Sequence, residues 1–117
     1  MRFNIFHRTD TGASYDIYRR QQELAHSLGL KTTIFLFYRD LFDDRALADA
    51  FEDQKRFGDE IALSLHGLTG PGLSEITNGQ IAIWLLDRSR KEKVLSTILK
   101  KFRETLGVPP VSVGSYH

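Results

Sequence analysis

The sequence predicts an α/β domain of parallel βα repeats, either the first half of a deformed (β/α) barrel or a small open αβα layer. Three observations predict it. Short apolar runs alternate with amphipathic stretches of helical spacing along all 117 residues. Glycines stand at 29, 58 and 107, each just past a helical pattern. The run KTTIFLFY (31–38) is β-branched and aromatic almost throughout, as strands buried on both faces of a parallel sheet are. Strands that alternate with helices through short connections pair in parallel by right-handed crossovers.

The elements follow in order. RFNIF (2–6) is a short β-prone run. Ser14 can cap a first helix with an inward face of Ile17, Tyr18, Gln21, Leu24, Ala25 and Leu28, ending at Gly29. The second strand is 31–38. Asp43 or Asp44 caps the next helix, in which Leu47, Ala50, Phe51 and Gln54 share a face and Gly58 is the stop. EIALSL (60–65) is the third strand. Residues 67–80 hold four Gly and one Pro and read as an irregular loop. IAIWLL (81–86) is ambiguous between a strand and a buried helical turn. Ser89 and Glu92 have the spacing of a capping box. The helix behind them carries Val94, Leu95, Ile98, Leu99, Phe102 and Leu106 on one stripe, and Gly107 with Pro109-Pro110 ends it. VSVGSY (111–116) is a fourth strand.

Composition narrows the function classes. The length gives one domain, 1–117, large enough to bury about two-thirds of its unfolded surface. A net charge of +1, from 16 basic and 15 acidic side chains, argues for neither a nucleic-acid nor an anionic-membrane partner. There is no cysteine, hence no disulfide and no thiolate metal site. The N-terminus lacks the apolar core of a signal peptide, and no run approaches the ~18 apolar residues of a membrane span. The compartment is not read from this chain.

Residues 7–14 read HRTDTGAS. Asp-Thr-Gly is also the loop motif of aspartic proteases. That fold is all-β with apolar residues before the motif, whereas His7, Arg8 and Thr9 stand here and three helical patterns follow. The histidines point to a different site. His7 falls just past strand 1, His66 just past strand 3 and His117 at the end of strand 4, while His26 lies on a helix and is expected to be solvated or to snorkel. In parallel α/β sheets the strand C-termini share one face, and that face carries the active site. His7, Asp10, His66 and His117 are therefore expected on one rim, with Tyr38-Arg39-Asp40 beside them. Imidazoles and a carboxylate together suit a divalent metal or acid–base chemistry. Plainer roles stand beside these: a strand-end histidine bonding backbone, Asp10 capping the first helix, Arg39 and Asp40 as a surface ion pair, and Trp84 as a core residue rather than a sugar platform.

The pieces HRTDTG, LGLKTTIFLF and FGDEIALSLHG resemble the polysaccharide deacetylase (NodB-homology) superfamily, whose domains run from a Phe-Asp-Asp-Gly strand end through a KATFFV-like strand to HEIGLHxxxH. The resemblance covers residues 3 to 67 well and 90 to 116 loosely. It implies a deformed barrel that removes acetyl groups from carbohydrate through a bound metal, with one Asp as general base and an Asp and two His as ligands. Asp10 then matches one aspartate and His66 the first histidine. Thr11 stands where the second aspartate is expected, and Gly70 where the second histidine is.

A divergent branch rebuilds such a site from Asp10 and His7 as catalytic groups and Asp10, His66 and His117 as ligands to zinc, cobalt or manganese. Arg8, Arg39, Asp40 and Trp84 then contact an acetylated sugar. A decayed branch binds carbohydrate or scaffolds a neighbour. A barrel glycoside hydrolase needs two carboxylates ~5 to 10 Å apart, and Asp10 with Asp40 is the pair on offer. A barrel of this kind takes about 200 to 250 residues, so the chain is expected to be the N-terminal part of a larger one. Its unpaired apolar edge is expected to be covered by a second copy or by a C-terminal half.

Overall fold

The computed structural model describes residues 2–6, 12–65, 68–80 and 82–114, with the backbone alone at 12–14. Strand β1 is Arg2–Phe6, helix α1 Gly12–Ser27, β2 Lys31–Leu36, α2 Asp44–Phe57, β3 Glu60–Ser64, α3 Ser74–Thr77, α4 Arg88–Leu106 and β4 Val113–Gly114. Two 3-10 turns, Tyr38–Phe42 and Ile83–Leu85, complete the set. The four strands pair in parallel in the order β1-β2-β3-β4 and curl into half a barrel with helices between them. The α/β class and the partial barrel expected from the alternation are what is found. Among the described residues, no helix is long and apolar enough to cross a membrane.

Register explains the layering. Ile5, Ile34 and Ile61 are aligned across three strands, and Leu36 pairs with Leu63. These side chains form one core with Tyr18 of α1, Ala50 of α2 and Val94, Ile98 and Phe102 of α4, so the helices cover that face. Side chains alternate along a strand, so Asn4, Thr33 and Glu60 lie in a row on the opposite, concave face. Phe6, Phe35 and Ala62 form the next row. The Phe6 and Phe35 rings stack at 4.8 Å. Gly114 fits beside them because it has no side chain: a β-carbon there would lie 2.6 Å from Phe35 Cε1.

Several local expectations are corrected. Helix α1 begins at Gly12, so Ser14 sits inside its first turn. Its buried residues are Tyr18, Gln22 and Ala25, whereas Ile17, Leu24 and Leu28 are exposed. In α2 the buried set is Ala46, Ala50 and Asp53, with Phe51 and Gln54 outward. Asp43 is its cap, accepting from the amides of Arg45 and Ala46 at 3.0 and 3.2 Å. Helix α4 is capped by Asp87, which accepts from the Arg90 amide at 2.9 Å. Ser89 is therefore within the helix, and Glu92 pairs with Arg88 instead of closing a box. Leu99 of the α4 stripe faces outward. The loop at 67–80 contains α3, and the described part of 81–86 forms a 3-10 turn. The fourth strand begins at Val113, two residues later than expected, and its described part is Val113–Gly114. The helices end at Gly29, Gly58 and Gly107 as the sequence indicates, all at positive φ.

His26, expected to be solvated or to snorkel, is instead part of a buried brace. Its Nε2 lies 2.6 Å from Asp59 Oδ2, an ion pair when the ring is protonated, and its ring stacks on Phe57 at 3.6 Å. Asp59 also accepts from the Thr32 amide at 2.7 Å and from the Gln22 amide at 3.3 Å. Gln22 donates as well to Asp53, which takes a second bond from Arg19 at 2.9 Å. The brace joins α1, α2 and the start of β3 at the N-terminal end of the sheet, where a buried charge is tolerable because donors surround it.

Candidate functional site

Parallel pairing sends all four strand ends to one rim. Two segments rise there from the described residues: the turn Tyr38–Phe42 after β2 and the stretches 68–80 and 82–87 after β3. Buried Tyr38 ties them together, donating from its hydroxyl to the Pro71 carbonyl at 2.6 Å. Burial raises its phenol pKa above the ordinary value. Gly70 lies flat against the same ring at φ +138°, and a β-carbon there would be 2.8 Å from Cδ2 and 2.9 Å from Cε2. The Phe42 ring meets Tyr38 edge-on at 5.1 Å, and Lys101 Nζ lies 4.3 Å from the Phe42 centroid.

Of the candidate residues, His7, Arg8, Asp10, His66 and His117 lie outside the described residues. Arg39 is exposed at the rim turn. Asp40 is buried, at 2% exposure, and accepts from the Phe37 amide at 2.8 Å. It fixes the exit of β2 and is not the surface residue that an ion pair with Arg39 requires. Trp84 stands on the turn before α4 with 49% of its surface exposed, so its reading as core is corrected. Arg39 and Asp40 are neighbours in one turn but face opposite ways, and Trp84 belongs to a separate segment of the rim side.

Sequence reasoning overlooked Glu60. It lies on the concave face, takes a bond from Ser112 Oγ at 2.7 Å and is 3.4 Å from Thr33 Oγ1. Its carboxylate thus links β3 to β2 and to the residue that leads into β4. The signal was present in EIALS, where Glu60, Ala62 and Ser64 alternate with Ile61 and Leu63. Ser64, buried, is on the same face nearer the rim.

One position of the ligand set implied by the resemblance is closed to a ligand. Its second histidine corresponds to Gly70, where any side chain meets the Tyr38 ring and where φ disfavours every residue but glycine. Among the described residues, which include none of Asp10, His66 and His117, no group of three His, Asp or Glu side chains could hold a metal ion. Comparison of the chain with family models, with curated proteins and with solved structures gives no match.

Proposed function

We propose that the chain is a deacetylase-like barrel module that holds carbohydrate at its strand C-terminal rim without the metal triad of the family it resembles. The observation that carries this reading is the seating of Gly70 on Tyr38, which leaves no room for a ligand at that position. The glycosidase alternative loses support from Asp40, which is committed to the Phe37 amide inside the fold. Half-exposed Trp84 offers a flat apolar plate of the kind that stacks on sugar rings, and exposed Arg39 offers a donor on the rim.

A second reading keeps the hydrolase: a site rebuilt from Asp10, His7, His66 and His117. It is favoured by the parallel pairing of β1, β2 and β3, which sends the strand ends preceding His7 and His66 to one rim. One experiment separates the two. The chain is titrated calorimetrically with an N-acetylated oligosaccharide, and acetate release is measured with zinc, cobalt or manganese added. Saturable binding without acetate release is expected. Release that Asp10→Ala and His66→Ala abolish would favour the rebuilt hydrolase, and no binding at all would contradict both.

A further inference from the structure

We infer that the outer side of α1 and the free edge of β1 form a two-fold interface with a second copy of this chain. Helix α1 has four distinct sides. Tyr18 and Ala25 pack inward. Tyr15, Arg19, Gln22 and His26 are bonded to Asp49, Asp53 and Asp59 on the α2 side. Asp16, Arg20 and Glu23 point to solvent. The remaining side, opposite α2, is the stripe Ile17, Gln21, Leu24 and Leu28, spaced i, i+4, i+7 and i+11 as a helix-packing seam is. Ile17, Leu24 and Leu28 are 57%, 62% and 64% exposed. Beside the seam, β1 adds Phe3 at 47% exposure, and a groove of about 250 Å³ runs between strand and helix.

The strand edge itself is open. Among the described residues, β1 pairs with β2 alone. Its sequence RFNIF has neither Pro nor Lys to discourage pairing. Its one cation is turned aside, since Arg2 bonds the carbonyls of Gly58 at 2.9 Å and Thr32 at 3.3 Å.

Geometry and charge favour a copy of the same surface. A crossover helix lies over the two strands it joins, so pairing β1 with the partner's β1 separates the two α1 axes by two strand spacings. That is about 9.5 Å, within the 8–10 Å of packed helices. Antiparallel seams set Ile17 against the partner's Leu28 and Gln21 against the partner's Leu24, and bring Arg20 toward the partner's Glu23 twice over. Four apolar side chains expose on the order of 400 Å² per copy; with the strand edge and flanking polar groups the pair buries about 1,200 Å², the size at which specific interfaces become stable. Among the described residues, head-to-tail pairing with β4 matches two positions, Val113–Gly114, against the five that β1 offers to a partner's β1.

The test is sedimentation velocity with crosslinking. The wild-type chain is expected to be a dimer at tens of micromolar. A Leu24→Glu/Leu28→Glu variant is expected to be a monomer with unchanged circular dichroism, because both positions are solvent-exposed in the single chain, and with a thermal midpoint that no longer rises with protein concentration as that of the wild type does. The chain has no cysteine, so single cysteines report cleanly. Leu24→Cys is expected to give a covalent dimer with a short bismaleimide, and Val113→Cys is not. A folded wild-type chain that stays monomeric at hundreds of micromolar overturns the inference. So does a dimer indifferent to the Glu substitutions, or crosslinking only between mixed Leu24→Cys and Val113→Cys chains.

Discussion

Gly70 and the ring of Tyr38 approach so closely that a β-carbon on the glycine would lie 2.8 Å from Tyr38 Cδ2. The contact locks the connection after β3 onto the turn after β2, and the hydroxyl bond from Tyr38 to Pro71 closes the same junction. Both Gly70→Ala and Gly70→His are expected to cost about 2–4 kcal/mol by urea unfolding, from backbone strain and overpacking together. The cost of Gly70→Ala is expected to shrink in a Tyr38→Ala background, as coupled neighbours require. Equal costs in both backgrounds would disprove the contact.

Asp59 is the hub of the brace at the other end of the sheet. Asp59→Ala leaves the Thr32 amide and the His26 ring without this acceptor and takes from the Gln22 side-chain amide the weaker of its two, Asp53 remaining. A loss of about 3 kcal/mol in unfolding free energy is expected, the range for stranding several buried donors. A loss below about 1 kcal/mol would show that water substitutes for the carboxylate.

Tyr18 predicts alkaline sensitivity. Burial first, and the charge of Asp53 second, raise its phenol above the ordinary value of 10.0. The folded state therefore holds this proton more tightly than the unfolded chain. Its contribution is fully present below pH 10 and falls as pH rises above it, by about 1.4 kcal/mol per pH unit until the folded group titrates. Tyr15 and Tyr38, also raised, add to the decline. Urea midpoints from pH 9 to 11 are expected to fall less steeply in Tyr18→Phe than in the wild type. An unchanged slope would remove Tyr18 from the account.

The caps separate what was legible from what was not. Asp87→Ala is expected to cost about 1 kcal/mol, as loss of an N-cap does, and Ser89→Ala close to nothing. The reverse order would restore the capping box at Ser89.

The fold class was legible because period and punctuation agree: apolar runs, amphipathic stripes and Gly29, Gly58 and Gly107 all point to one alternation. The helix faces were legible only in part. A stripe in α1 broad enough to include Ile17, Leu24 and Leu28 reads as inward, and apolar periodicity carries no mark of whether a neighbour is there to cover it. His26 was misread because its partner Asp59 lies 33 residues away and is met only through the packing of α1 on the sheet. Asp40 was read as surface for a different reason: a carboxylate bonding an amide three residues back leaves no periodic trace. Of the rim, the sequence offers residue types and strand ends; the close seating of Gly70 on Tyr38 is set by backbone geometry and is invisible in it.

The most direct measurement of the carbohydrate-binding reading is the emission of Trp84, the only tryptophan in the chain. Titration with an N-acetylated oligosaccharide is expected to shift the emission to shorter wavelength and saturate, with binding weakened at least about tenfold in Arg39→Ala, a loss of about 1.4 kcal/mol. Emission that stays unchanged through the titration, while calorimetry on the same folded sample also registers no binding, would contradict the account.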